Sequence, residues 1–193
     1  MVDFSSVLVG AVVGAVVGFL AKVIYDELKT PRLGIRETVG PFLITYEPKK
    51  VLNLVSGAKK SELHKMYHAY RIRVYNKQKT LFNLSAKNCV AWLELETAKE
   101  PYQLCWVGEE TSPTINVGDY REVALCARNV ETGVILMSTE KGYSYPSYRI
   151  IGDGKRELAG HLRITSENSK RTKKKILVKP VNRDLLEIEL SDC

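Results

Sequence analysis

The sequence predicts a mainly β protein, an antiparallel sandwich or barrel preceded by a single N-terminal transmembrane α-helix. Three observations predict this fold class. An uncharged apolar stretch occupies residues 4–21. From about residue 33, short segments of alternating apolar and polar residues recur, separated by turns that contain Gly, Asn or Asp. The 193 residues, 45% hydrophobic and 26% charged, have the composition of a folded domain rather than of a disordered or collagen-like chain.

The first element is an apolar stretch from Phe4 to Tyr25 in which Lys22 is the one charged residue. A helix of this length is about 33 Å long, which matches a hydrocarbon core of roughly 30 Å. Lys22 lies near one end, where its ammonium can reach the interface. A signal peptide would need a basic segment before Phe4, and a buried soluble helix would need a polar face. Residues 1–30 are therefore predicted to be a transmembrane helix with its flank.

Basic residues follow the predicted helix but do not precede it. Lys22, Lys29, Arg32 and Arg36 all lie at its C-terminal end or just beyond. By the positive-inside rule this asymmetry places the C-terminal domain in the cytoplasm. We therefore expect a single-pass membrane protein with a cytoplasmic domain.

The predicted strands begin near residue 33 and continue to the C-terminus. In one of them Tyr70, Ile72 and Val74 share a face, because side chains alternate across a strand. Other apolar or alternating runs lie at residues 42–46, 89–95, 121–127, 134–137, 148–151, 162–164, 176–178 and 188–190. Eight to ten short strands at this spacing predict an antiparallel sandwich or barrel.

Residues 56–69 differ from this pattern, because their apolar side chains recur at helical spacing. They predict a short helix that leads into the strand at Tyr70. On such a helix His64 and His68 would share one face, as zinc ligands can. No third ligand accompanies them and lysines surround them, so we expect no metal site and no cofactor.

The four cysteines are Cys89, Cys105, Cys126 and Cys193, and they form no C-x-x-C pair. The alternation of residues 89–95 puts Cys89 on the core face, where a thiol is inert. Counted in the same way, Cys126 falls on the opposite face of its strand. A disulfide between Cys89 and Cys126 is therefore not expected.

Four motifs follow one another along the domain: YRIRVYN (70–76), AKNCVAWL (86–93), TINVGD (114–119) and LRITSEN (162–168). With them the chain resembles a group of uncharacterised prokaryotic proteins, some membrane-anchored, that have an immunoglobulin-like or fibronectin-like sandwich. The resemblance covers roughly residues 67–180 and implies an immunoglobulin-like β-sandwich for residues 31–193. It implies no activity. The spacer 77–85 is longer here and lacks a glycine after Asn76.

The predicted membrane helix carries glycine at every fourth position, at Gly10, Gly14 and Gly18. Residues four apart lie on one helix face, so the three glycines form a shallow stripe that a second helix can approach. The stripe predicts self-association or a partner transmembrane helix. The alternative is that glycine is simply common in membrane helices.

Positive charge is concentrated in two segments of the domain. Residues 49–79 contain nine basic residues and one acid, and residues 163–183 contain eight and one. The candidate basic surface comprises Lys59, Lys60, Lys65, Lys170, Arg171, Lys173, Lys174 and Lys175. If the two segments lie together, this surface suits anionic lipid or an acidic protein. The alternatives are nucleic acid, which no accompanying motif supports, and lysines that protect a strand edge from aggregation.

The sequence contains no G-x-S-x-G elbow, phosphate-binding loop or dinucleotide fingerprint. We therefore expect a non-catalytic interaction or structural module held at the membrane. Two alternatives stay open: a basic membrane-proximal domain that binds nucleic acid, and an outward-facing envelope or surface component.

Overall fold

The computed structural model describes residues 4–46, 65–77, 84–108, 111–139 and 147–193. In these ranges the chain forms one helix and then ten strands. The helix is α1 (Phe4–Lys29), and the strands are β1 (Arg32–Tyr46), β2 (Lys65–Lys77), β3 (Val90–Leu95), β4 (Tyr102–Leu104), β5 (Tyr120–Asn129), β6 (Ile135–Thr139), β7 (Ser147–Gly152), β8 (Leu158–Thr165), β9 (Thr172–Pro180) and β10 (Leu186–Asp192). The predicted mainly β fold after one N-terminal helix is confirmed.

The strands pair in the order β1-β2-β5-β6-β4-β3-β8-β9-β10, and β7 pairs with the other side of β6. Every pair of named strands is antiparallel. Between β4 and β6 the pairing narrows to Leu104 and Thr139. The sheet thus divides into two antiparallel layers, one around β2 and β5 and the other around β3, β8 and β9.

The inner faces of the two layers share one hydrophobic core. In β3 the odd-numbered residues from Ala91 to Leu95 are buried and their neighbours are not, as the alternation in residues 89–95 predicts. In β2 the predicted inward residues Tyr70, Ile72 and Val74 are all buried. Across the sandwich Leu162 and Ile164 of β8 fill the other side of the core. In β2, β3 and β8 alternation therefore sets which face of the strand is covered.

A bulge in β5 overturns the predicted position of Cys126. Tyr70 pairs with Cys126 and Arg71 pairs with Ala124, so Leu125 is an extra residue opposite this step of β2. One extra residue reverses the alternation from that point onward. Cys126 consequently lies on the core side and is buried, like Cys89. Neither thiol is in a disulfide.

The helix predicted over residues 56–69 is wrong where the structure describes it. Residues from Lys65 onward belong to β2, which pairs with β1 on one side and β5 on the other. Ladder hydrogen bonds to two neighbours outweigh a chance helical spacing of apolar residues. His68 therefore lies on a strand, where its Nδ1 is 2.9 Å from the carbonyl oxygen of Asp184. Residues 56–64, His64 among them, lie outside the described residues.

The helix α1 ends at Lys29, just before Thr30 and Pro31, as the proline predicts. Among the described residues, one helical span from Val9 to Lys29 is long and apolar enough to cross a membrane. None of the most apolar part of this span is buried within the structure. The described part of the sandwich therefore does not cover the apolar surface of α1.

Candidate site at the helix–sandwich junction

The helix and the sandwich are joined by only two residues, Thr30 and Pro31. The backbone N–H and the hydroxyl of Thr30 both donate to the carbonyl oxygen of Asp26, at 3.1 and 2.8 Å. Pro31 is buried and has a restricted φ. The short, hydrogen-bonded link holds one end of the sandwich directly at the end of α1.

Glu27, in the last turns of α1, ties the helix to two parts of the sandwich. One of its carboxylate oxygens accepts from Arg32 Nη2 at 3.1 Å, and the other accepts from Lys170 Nζ at 2.6 Å. Lys170 lies in the connection between β8 and β9. All three side chains are substantially exposed, and solvent screens ion pairs of this kind. The two ion pairs therefore define the geometry of the junction more than they stabilise it.

A second contact joins β9 to β1 next to the end of α1. The hydroxyl of Thr172, the first residue of β9, donates to the carbonyl oxygen of Leu33 at 2.9 Å. Between the helix end and this contact lies an open cavity of about 240 Å³. Its lining comprises Glu27, Arg32, Leu33, Lys170, Arg171 and Thr172. We call this cavity the junction pocket.

The junction pocket contains three cations, Arg32, Lys170 and Arg171, against one carboxylate, Glu27. Arg171 is half exposed, and its Nη2 is 3.5 Å from an oxygen of Glu94. The pocket therefore has a local charge of +2 if Glu94, which lies outside it, is not counted. Such a surface attracts anions and repels cations.

Of the predicted basic surface, the members at positions 170–175 lie together in the β8–β9 connection and the first residues of β9. Lys170 and Arg171 line the junction pocket. Lys173 joins Arg171 near Glu94, with its Nζ 3.5 Å from that carboxylate, and Lys174 pairs with Asp192 at 2.5 Å. Lys175 is exposed in β9, where it pairs in register with Ser191.

Of the other basic segment, 49–79, Lys77 lies beside this corner, whereas the predicted surface residue Lys65 does not. Lys65 pairs with Tyr46 at one end of β2, whereas Arg32 pairs with Lys77 at the other end. These ends are twelve residues apart along β2, or ~40 Å at the rise of a strand. Lys59 and Lys60 lie outside the described residues.

Four residues that line the junction pocket were not among the predicted site residues, namely Glu27, Arg32, Leu33 and Thr172. Glu27 lies 143 residues from Lys170 in the sequence, so only the fold brings them together. One local signal was available, since an acid near the helix end lies close in sequence to Arg32. Sequence charge counts identify the cations but not their partners.

The predicted helix-association glycines lie on the uncovered surface of α1. Around Gly10, Gly14 and Gly18, a Cβ built on the backbone meets nothing within 4 Å among the described residues. The neighbouring valines are exposed as well. The stripe is therefore sterically open on the single chain.

At the opposite end of the sandwich Arg128 is buried. Its Nε donates to the carbonyl oxygen of Arg183 at 2.8 Å, and its Nη2 donates to that of Gly154 at 3.0 Å. Burial lowers the pKa of Arg128 from the ordinary arginine value. Gly154 has a φ of +73°, and a Cβ there would overlap the carbonyl oxygen of Gly133. Arg128 thus fastens the β7–β8 and β9–β10 turns together.

The two core thiols are poor nucleophiles. Burial raises the pKa of Cys89 to about 11 and that of Cys126 to about 12. The described residues contain no group of three His, Cys, Asp or Glu side chains that could hold a metal ion. In comparisons with protein-family models, curated proteins and solved structures, no match to this chain was found. The immunoglobulin-like assignment therefore stays a prediction from resemblance.

Proposed function

We propose that this protein is a membrane-anchored, non-catalytic interaction or structural module whose sandwich is held against the bilayer surface in a fixed orientation. One observation carries the proposal: a two-residue link joins α1 to β1, and Glu27 contacts both Arg32 and Lys170. A long flexible linker would let a domain swing freely, whereas this link leaves little freedom. The basic corner of the sandwich then always faces the membrane.

The distribution of charge supports a cytoplasmic location for the sandwich. Arg32, Lys170 and Arg171 lie at the corner next to the helix end, together with Lys29 of the helix itself. Basic residues that flank a membrane helix favour retention of that flank in the cytoplasm. The cytoplasmic leaflet is also the one in which anionic lipids are concentrated. An envelope or surface component would have the opposite topology.

Membrane anchoring and topology are tested on the full chain. We expect it to stay in the membrane pellet after extraction at alkaline pH. We also expect Cys193, which is exposed, to react with a membrane-impermeant maleimide only after cell lysis. Release into the alkaline supernatant would refute the anchor. Labelling of Cys193 in intact cells would refute the cytoplasmic orientation and favour an envelope component.

Fixed orientation needs a separate test, and Cys193 is well placed for it. Cys193 follows Asp192, which forms an ion pair with Lys174. Lys174 lies near the start of β9, the end of that strand that is next to α1. A donor dye on Cys193, in a Cys105→Ser background, should transfer energy strongly to acceptors on lipid headgroups. Twelve Gly/Ser residues inserted between Pro31 and Arg32 should weaken the transfer. Equal transfer with and without the insertion would overturn the fixed orientation.

A further inference from the structure

We propose that the junction pocket binds the phosphate of an anionic lipid headgroup. This inference rests on the membrane anchoring proposed above and adds a ligand class to it. The pocket offers two guanidinium groups, one ammonium group and a hydroxyl, from Arg32, Arg171, Lys170 and Thr172. Guanidinium groups present paired N–H donors that match phosphate oxygens, and an ammonium adds a compact charge.

The depth of the pocket in the bilayer favours a lipid phosphate. Tyr25 is the last residue of the apolar stretch, and Glu27 lies two residues further along α1. At the helical rise this step is ~3 Å. The headgroup layer on each side of the hydrocarbon is about 5–7 Å thick. Glu27 and the pocket around it therefore lie at the level of the headgroups.

The size of the pocket agrees with a headgroup rather than a whole small molecule. Its volume is about 240 Å³, below the roughly 300–1,000 Å³ of typical small-molecule sites. The cavity is open, so a lipid can place its phosphate there while its chains stay in the bilayer. Nucleic acid and an acidic protein would have to enter the headgroup layer to reach the same cations, which makes a lipid the favoured ligand.

Glu27 gives the pocket a distinctive electrostatic signature. Its carboxylate holds Lys170 and Arg32 in place, but it also neutralises part of the charge that would attract a phosphate. If the pocket binds an anion, removal of the Glu27 charge strengthens binding and removal of a cation weakens it. If the three groups only fasten the helix to the sandwich, both changes loosen the junction and neither strengthens anion binding. The two roles therefore predict opposite signs for Glu27→Gln.

The test is native mass spectrometry of the full chain released from mild detergent, titrated with phosphatidylglycerol or with phosphatidylcholine. Phosphatidylcholine also contains a phosphate but has no net charge, so it measures adventitious lipid retention. The variants are Lys170→Gln, Arg171→Gln and Glu27→Gln. Lys155→Gln is the matched control, since Lys155 is exposed in the β7–β8 turn at the opposite end of the sandwich. A parallel titration with inorganic phosphate distinguishes a lipid from the free ion.

We expect one phosphatidylglycerol to bind in preference to phosphatidylcholine. Removal of each cation should weaken binding of the lipid about five-fold, because a basic residue near the membrane surface contributes ~1 kcal/mol to the binding of anionic lipid. Glu27→Gln should strengthen binding by a similar factor, and Lys155→Gln should not change it. Inorganic phosphate at millimolar concentration should compete weakly, because it lacks the chains that hold a lipid beside the pocket.

Equal binding of the two lipids, or a weakening by Glu27→Gln, would overturn the pocket proposal. Strong binding of inorganic phosphate with no lipid preference would replace the lipid by the free ion as ligand. In each case a chain that still resists alkaline extraction would leave the anchored-module function intact. Loss of the chain from the membrane pellet would instead refute that function.

Discussion

The molecule contains two apolar regions that differ in what covers them. In the sandwich Ile72 and Ile164 have 0% of their surface exposed, while in α1 Val12 and Phe19 are 57% and 66% exposed. Both regions are built from the same kinds of side chain. In the sandwich the apolar face of one layer covers that of the other, whereas the described part of the chain covers none of the most apolar part of α1.

Each region also contains a cation, and the two cations are handled differently. Arg128 is 3% exposed and donates to the carbonyl oxygens of two turns. Lys22 is exposed on the surface of α1, near the end that leads to the sandwich. A long side chain in that position can extend its ammonium to the interface. Backbone carbonyl oxygens thus bind Nε and Nη2 of Arg128 but leave Nη1 without a partner among the described residues, whereas Lys22 is exposed.

The largest expected effect comes from a cavity in the sandwich core. Ile72→Ala should lower the free energy of unfolding by about 2–5 kcal/mol, because lost burial adds to the cavity left behind. The matched control is Ile150→Ala, since Ile150 is also on a strand but is 71% exposed, and a change within ~0.5 kcal/mol is expected. Urea unfolding of the full chain in mild detergent, followed by tryptophan fluorescence, measures both. Similar losses in the two variants would contradict the described core.

The core can also be tested without mutation through its thiols. With pKa values of about 11 for Cys89 and about 12 for Cys126, their thiolate fractions at pH 8 are ~100-fold or more below that of an ordinary thiol. Iodoacetamide at pH 8 should therefore modify Cys193 in the native chain but Cys89 and Cys126 only after unfolding. Mass spectrometry of the peptides measures this. Rapid native labelling of Cys126 would place it on the outer face after all.

The same shifts predict the sign of the alkaline effect on stability. An unfolded thiol has an ordinary pKa of 9.0, so above that pH the unfolded chain loses protons before the folded chain does. The stability that the buried neutral thiols contribute is complete below pH ~9 and falls as the pH rises towards 11 and 12. Replacing Cys126 by Ala should reduce this fall. An unchanged slope between pH 9 and 10.5 would show that other groups control it.

The strand faces and the helix could be predicted because they depend on local periodicity. In β2 the apolar residues Tyr70, Ile72 and Val74 alternate with two arginines. This pattern alone predicts which side chains of β2 enter the core. The bulge at Leu125 could not be predicted in this way, because it is defined by the register against β2 rather than by β5 itself. The start of β2 at Lys65 was missed for the same reason, since pairing with β1 and β5 overrides a helical spacing.

The junction pocket was predictable in part. Charge counting identified Lys170 and Arg171, and the helix prediction put Arg32 beside the membrane. The contact of Lys170 with Glu27 could not be predicted, because it joins groups from the two ends of the chain. The three-residue strand β4 was missed as well, since it is too short to show alternation.

A smaller effect is expected when the internal charge of the sandwich is removed. Arg128→Met keeps most of the side-chain volume but leaves the carbonyl oxygens of Arg183 and Gly154 without their donors. We expect a loss of about 2 kcal/mol, since an unsatisfied buried group costs ~1–3 kcal/mol. Lys22→Met is the control and should leave the urea midpoint of the sandwich unchanged. A stabilised Arg128→Met variant would show that burying the guanidinium costs more than its two hydrogen bonds return.

The smallest effect is expected on the uncovered surface of α1, where it bears on what covers the helix. Gly14→Leu adds a side chain to the glycine stripe, and since nothing within the described chain lies within 4 Å, the single molecule can accept it. Any change must therefore arise between molecules. If two helices pack along Gly10, Gly14 and Gly18, the variant should weaken their association by on the order of 1 kcal/mol.

The matched control is Val12→Leu, because Val12 lies about 200° around the helix from Gly14 and is also exposed. Energy transfer between dyes on Cys193 of different molecules in mild detergent measures association. Sandwich stability should be the same in all three proteins, so that a loss of transfer reports on the helix alone. If both variants weaken association, the helices do not associate specifically through the glycine face. Unchanged association with Gly14→Leu would mean that lipid, rather than a second helix, covers the glycine stripe.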